Sequence, residues 1–195
     1  AAEMDKELLD GLKAAGKDPA SAVVVYMGGD PADGNAAMFR AGAVRAMEAA
    51  GITPAAEPAG IWDTEKSAEN FEQALTALGG QVDAVWSAND ANAQGVISIL
   101  DKNGLTVPVS GQDASVAGLQ NVLLGKQTAT VYKPFQLEAA AAAELAIALL
   151  NGETPTVDKT LEDGTPYIAV TPVLVGPEQV KDVIDDGNAS ASELC

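Results

Sequence analysis

The stretch VDAVWSANDANAQGVISIL, residues 82–100, decides the reading of the fold. Its first part, Val82–Ala88, is a short apolar run with the length of a strand. Its second part opens a helix over Ala91–Lys102, with Val96, Ile97, Ile99 and Leu100 at helical spacing. The polar pair Asn89-Asp90 stands at the junction. A strand that feeds straight into a helix is half of a βαβ unit. Strands apolar on both faces belong to parallel sheets covered by helices.

The same alternation continues outward. Upstream, Ala22–Met27 is a strand broken by Gly28-Gly29-Asp30-Pro31, and Ala36–Ala50 is a helix closed by Gly51. Ile52–Glu57 is a weaker strand. Residues 64–78 form a helix with Thr64 as N-cap and Ala68, Phe71, Leu75 and Leu78 on one face. A first helix over 3–15 carries Met4, Leu8, Leu9 and Leu12.

Downstream come a strand at Thr106–Ser110, a helix at Val116–Leu124 and a strand at Gln127–Tyr132. An Ala-rich helix at Gln136–Leu150 follows, then a polar loop or hairpin at Pro155–Pro166. Ile168–Val175, with Pro172 inside it, is an edge or bent strand. A last helix at Pro177–Asp185 precedes a loosely held polar tail. The expected class is α/β: a doubly wound, mostly parallel sheet flanked by helices. Trp86, in mid-strand, is core.

Composition excludes several functions. The 195 residues carry 11 basic and 28 acidic side chains, a net charge of −17, which repels nucleic acid. There is no histidine, so a Ser-His-Asp or Cys-His device is impossible and the commonest metal ligand is missing. No apolar run approaches the roughly 18 residues of a membrane span, and no signal peptide opens the chain. The chain starts on a helix with no strand before it, which suggests that it begins partway through a larger protein. Gly28-Gly29-Asp30 is not a phosphate loop, because neither GxxxxGK[ST] nor GxGxxG occurs. The acid pairs Glu162-Asp163 and Asp185-Asp186 are read as solvated, with calcium a remote alternative, and no cofactor or metal is expected.

Five residues stand at strand ends or in adjoining loops, where ligands of open α/β sheets bind: Asn35, Trp62, Asn89, Asp113 and Lys133. Asn89 offers a donor and an acceptor in one planar group, which suits a vicinal diol. It could equally turn the chain while Asp90 caps the helix. Asp113 could accept two strong hydrogen bonds from hydroxyls, or cap the helix at 116–124. Trp62, in GIWDT, is either a platform for the C–H face of a sugar or a satellite core anchor. Lys133 before Pro134 is either a ligand contact or a solvated charge.

Three segments together, VDAVWSANDANAQGVISIL, VPVSGQDASVAGLQNVLLGKQTATVYKP and EAAAAAELAIALLNGE, resemble the periplasmic sugar-binding proteins of ABC importers. Within that group the resemblance is to the xylose-binding type. It implies a type I periplasmic-binding-protein fold of two similar lobes that close on a monosaccharide and present it to an ABC permease. It implies that Asn35, Trp62, Asn89, Asp113 and Lys133 contact sugar, Trp62 by stacking. It implies an exported protein, periplasmic or extracellular and membrane-anchored, that is a monomer when full length.

The chain departs from the family in lacking most of a first lobe. The expected division is a C-terminal sugar-binding lobe at 1–134, a helix and loop at 135–160 that would return to the missing lobe, and a final crossover strand, helix and tail at 161–195. The helix at 136–150 should then show an orphaned apolar face, and residues 1–195 alone should bind sugar weakly. In relatives a position like Cys195 often pairs with a later cysteine, as exported proteins allow. Two other functions are open. The sugar-effector domain of a LacI-type transcription repressor shares this fold. An enzyme would have only Asp113 and Lys133 as its acid/base pair.

Overall fold

The computed structural model describes residues 2–161 and 163–195. β1 (Val24–Met27) and β2 (Ala84–Ser87) pair in parallel, in the register Val24↔Ala84 to Met27↔Ser87. All eight residues are buried, as expected of strands with helices on both faces. Alternation then sorts them between two cores. Val24, Tyr26, Ala84 and Trp86 pack with Leu8 and Leu12 of α1 (Ala2–Ala14) and with Ala43 and Met47 of α2 (Gly34–Ala49). Val25, Met27 and Val85 pack with Phe71 and Leu75 of α3 (Thr64–Ala77) and with Ala93, Val96, Ile97 and Leu100 of α4 (Asp90–Lys102).

Single parallel bridges widen the sheet. Val25 pairs with Ala56 on one side, Val85 with Val109 on the other, and Ser110 with Ala129. β3 (Thr130–Tyr132) pairs with β6 (Val173–Val175). The segment at Ala56 therefore lies on one side of β1, and β2, the Val109-Ser110 segment and then β3 follow on the other side. The order reverses between β1 and β2, and in such sheets the crevice at the strands' carboxyl ends is where ligands bind.

The three expected strands that contain a proline fall furthest short of their apolar runs. Ile52–Glu57 and Thr106–Ser110 make only bridges, and Ile168–Val175 is a strand only from Val173. Pro54, Pro108 and Pro172 lie inside these runs, and proline gives the ladder no donor. The caps also differ from expectation. Asp63, not Thr64, caps α3 by accepting from Lys66 N at 2.8 Å. Ser115 caps α5 (Val116–Leu123), accepting from Gly118 N at 3.0 Å, so Asp113 is not that cap.

The tail is not loose. A 3-10 turn at Pro177–Gln179 leads into α7 (Val180–Asp185), and Ser190 opens α8 (Ala191–Leu194) by bonding Glu193 through both its N–H and its hydroxyl. Gln120 donates to Glu193 O at 2.8 Å. Val175, Val180, Val183 and Ala189 share a third core with Leu119, Val122 and Tyr132. Asp185 pairs with Lys181, and Glu162 lies outside the described residues.

The chain divides into two units, one of residues 1–132 with 174–195 and one of residues 133–173. The second holds α6 (Phe135–Leu150) and a hairpin of β4 (Lys159–Thr160) with β5 (Pro166–Tyr167). No residue of α6 is buried, and Leu137, Ile147, Leu149 and Leu150 are all exposed. The orphaned apolar face expected from the sequence is present. Among the described residues no helix is long and apolar enough to cross a membrane.

Candidate functional site

At the reversal point, β1 runs out into Gly28-Gly29 and β2 into Ala88-Asn89. The Trp62 ring lies directly on Gly29, where a Cβ would fall inside the indole. A glycine at this position is what lets the ring sit down on the β1 exit. The ring is half-buried and meets Phe39 edge-on, with centroids 6.4 Å apart. Its Nε1 donates to Asp33 Oδ2 at 3.1 Å. Asp33 Oδ1 accepts the N–H of Asn35 at 2.9 Å and so caps α2. One carboxylate thus orients both Trp62 and Asn35, whose own side chain is solvent-exposed.

Asn89 caps α4, accepting from Asn92 N at 2.9 Å. The cap expected of Asp90 therefore falls to Asn89. The side chain of Asn92, fully buried, accepts from Ser67 Oγ at 3.0 Å and donates to Gly28 O at 2.9 Å. It fastens the β1 exit to the α3 and α4 N-terminal turns. Ser110 Oγ does the same for β2, accepting from Ser87 N at 2.8 Å and donating to Ser87 O at 2.9 Å.

Asp113 is held in a loop beside this corner. Asp90 N donates to Gln112 O at 2.9 Å, so Asn89 and Asp113 each adjoin one end of that bond. Asp113 has φ 101° and Ala114 φ 48°, both in the left-handed region. Each such non-glycine residue costs on the order of 1–3 kcal/mol and persists only where its surroundings over-determine it. Here Asp113 N donates to Val131 O at 2.8 Å and Ala114 N to Thr130 Oγ1 at 3.1 Å. The Asp113 side chain is half-buried.

Four of the five sequence candidates thus lie in the first unit: Asn35 and Trp62 share Asp33, Asn89 and Asp113 adjoin the two ends of one backbone bond, and Asn92 ties the start of α4 to the β1 exit on which Trp62 sits. Lys133 follows β3 directly and opens the second unit. Sequence reasoning missed the groups that fix the corner: Asp33, Ser67, Asp90 and Asn92. Asp33 stands before Gly34-Asn35 at a helix start, a legible cap signal. Nothing local marks Ser67 or Asn92, because their partners lie 25 and 64 residues away.

Burial pushes the Asp90 carboxyl above the usual carboxylate range, against the pull of its hydrogen bonds from Gln127, Ser115 and Thr130. Arg40 clasps Glu57 by donating from Nε and Nη2 to its two carboxylate oxygens, and holds that carboxyl low. Among the described residues no cluster of His, Cys, Asp and Glu could hold a metal ion. The corner offers an aromatic face, amides and a carboxylate on a stiff frame.

Residues 4–154 match the periplasmic binding protein domain. The chain is 41% identical over 179 residues to the D-xylose-binding periplasmic protein of Escherichia coli (strain K12), which covers 86% of this chain and 54% of that one. An ABC transporter periplasmic solute binding protein from Actinobacillus succinogenes 130z, solved with bound D-allose, superposes with a TM-score of 0.76 at 27% identity, over 92% of this chain and 59% of that one. The HTH-type transcriptional regulator GalR of Salmonella typhimurium (strain SL1344) is 33% identical over 129 residues, covering 63% of this chain and 34% of the regulator. The chain spans about half the length of the sugar-binding periplasmic relatives it matches. By sequence and by the α/β architecture described above, it belongs to the periplasmic binding protein domain family and has the type I fold of that family.

Proposed function

We propose that this chain forms one wall of a monosaccharide site in an exported solute-binding protein that delivers sugar to an ABC importer. The observation that supports this most is the strand-end corner, where an indole face, two asparagines and a strained aspartate are held on one hydrogen-bonded frame. In this reading Trp62 stacks on the C–H face of the ring, while Asn35, Asn89, Asp113 and Lys133 bond its hydroxyls. The sugar-contacting lobe is residues 1–134. Residues 135–160 and 161–195 supply the returning helix, crossover strand and last helix. The names of the relatives point to a pentose such as D-xylose or a hexose such as D-allose. The protein binds and does not catalyse.

Calorimetry of the full-length protein against D-xylose, D-allose and D-glucose tests the reading. One of these sugars should bind at one site per protein, and Asp113→Ala should weaken it at least roughly 30-fold, the cost of removing a partner from desolvated hydroxyls. No heat with any of the three would overturn the assignment. The match to GalR supports a second reading, a sugar-effector domain of a repressor. Sugar-dependent operator binding by the full-length protein would decide for it.

A further inference from the structure

The buried carboxylate of Asp90 has no part in the sugar contacts proposed above, yet four donors converge on it. The residue is 1% exposed. Oδ1 accepts from Gln127 Nε2 and from Thr130 Oγ1, both at 2.8 Å. Oδ2 accepts from Ser115 N at 2.9 Å and Ser115 Oγ at 3.1 Å. A Cβ on Gly111 or on Gly118 would collide with these oxygens, so the two glycines let the loop close around the carboxylate.

Three of those donors hold the Asp113 loop. Ser115 caps α5 just beyond it, and Thr130 Oγ1, while donating to Asp90, accepts the N–H of Ala114. Asp90 N bonds Gln112 O on the near side. The loop from Gln112 to Ser115, with two residues in the left-handed region, is thus pinned at both ends through one acidic residue. Gln127 is itself fixed, because the same Nε2 also donates to Ala129 O at 3.1 Å. Its amide cannot turn over without setting oxygen against oxygen.

We infer that Asp90 is a positioning residue for ligand binding: its carboxylate holds Asp113 in its strained backbone conformation without touching ligand. The inference rests on the reading of Asp113 as a ligand contact. Asp90→Asn tests it with almost no change of volume. The new amide would turn an N–H₂ on one pair of donors, either Gln127 and Thr130 or Ser115. Loss of a hydrogen bond to a charged group corresponds to roughly 10- to 100-fold.

The experiment is calorimetry of the full-length protein with D-xylose, reading Kd and stoichiometry separately, well below each variant's melting temperature. The expected result for Asp90→Asn is a Kd raised about 10-fold or more at an unchanged one-to-one stoichiometry. A merely structural role would lower the binding-competent fraction and leave the Kd of the folded molecules alone, and that outcome overturns the inference. If Asp90→Asn does not fold, Thr130→Val carries the test, since it strips Ala114 N of its acceptor at equal volume. It should raise Kd several-fold, and an unchanged Kd overturns the inference. Asp113→Ala, run alongside, separates the two claims. If Asp113→Ala leaves Kd unchanged, the site reading fails and this inference fails with it. If Asp113→Ala weakens binding and Asp90→Asn does not, only the positioning role is lost.

Discussion

Helices α4 and α6 reverse the ordinary expectation about which sequence goes inside. α6, FQLEAAAAAELAIALL, is the more apolar of the two and has no buried residue. α4, DANAQGVISILDK, carries Asp, Asn, Gln and Ser, yet eight of its 13 residues are buried, Asp90 and Asn92 among them. The difference lies in what surrounds each helix within its own unit. α4 has a sheet face beneath it, and at Gly95 it approaches α3 so closely that a Cβ would meet Thr64 O. Its two buried polar residues find partners on β3, α3, the β1 exit and the Ser115 loop. Apolarity makes burial favourable, but a complementary face and satisfied polar groups decide where it happens.

The largest expected effect is in the core shared by α3, α4 and the sheet. Phe71 is fully buried between them. Phe71→Ala should cost about 3–5 kcal/mol, the range for emptying an aromatic site in a packed core. Urea denaturation of the 195-residue chain measures it. A loss under about 1 kcal/mol would show that the core collapses around the gap and is far looser than the α4 side implies.

A smaller effect, of opposite sign, is expected at Tyr26 on the other face of β1. Its hydroxyl is buried and has no hydrogen-bond partner among the described residues. Tyr26→Phe should therefore stabilise the chain by about 1 kcal/mol at neutral pH. Burial, helped by Glu57, pushes the phenol from its ordinary value of 10.0 up to about 12. The unfolded chain thus gives up this proton near pH 10, while the folded chain keeps it until about pH 12. The contribution of the neutral phenol to stability is complete below pH 10 and is lost as pH rises toward 12. The advantage of Tyr26→Phe should widen over that window. Denaturation at pH 7 and above pH 10 reads both parts, and a less stable variant at pH 7 would mean that the hydroxyl has a partner.

The same contrast explains what was legible in the sequence. Period and punctuation were enough for the βα alternation, because Val24–Met27 and Ala84–Ser87 are apolar runs closed by turn residues. They were enough for the strand-end placement of Trp62, Asn89 and Asp113, since that follows from topology. They overreached where proline interrupts an apolar run, at Pro54, Pro108 and Pro172. They also missed the buried frame. Asp90 read as a helix cap because caps are local, whereas its partners Ser115, Gln127 and Thr130 lie 25 to 40 residues away. The tail NASASELC read as loose for the same reason. Its anchor, Gln120, is 73 residues upstream of Glu193.

The smallest expected effect completes the comparison. Leu149 of α6 is 59% exposed, so replacing it with glutamine removes little buried apolar surface. Helix propensity barely changes, because leucine and glutamine are both good helix formers. Leu149→Gln should therefore shift the stability of the 195-residue chain by no more than about 0.5 kcal/mol, in either direction. A loss above about 1 kcal/mol would mean that the face is covered in solution, and the contrast with α4 would shrink accordingly. Measuring the substitution against Phe71→Ala in one denaturation series fixes the contrast on a single scale. The two side chains are similar in apolar character, and their difference in cost reports the presence or absence of a packed face around each.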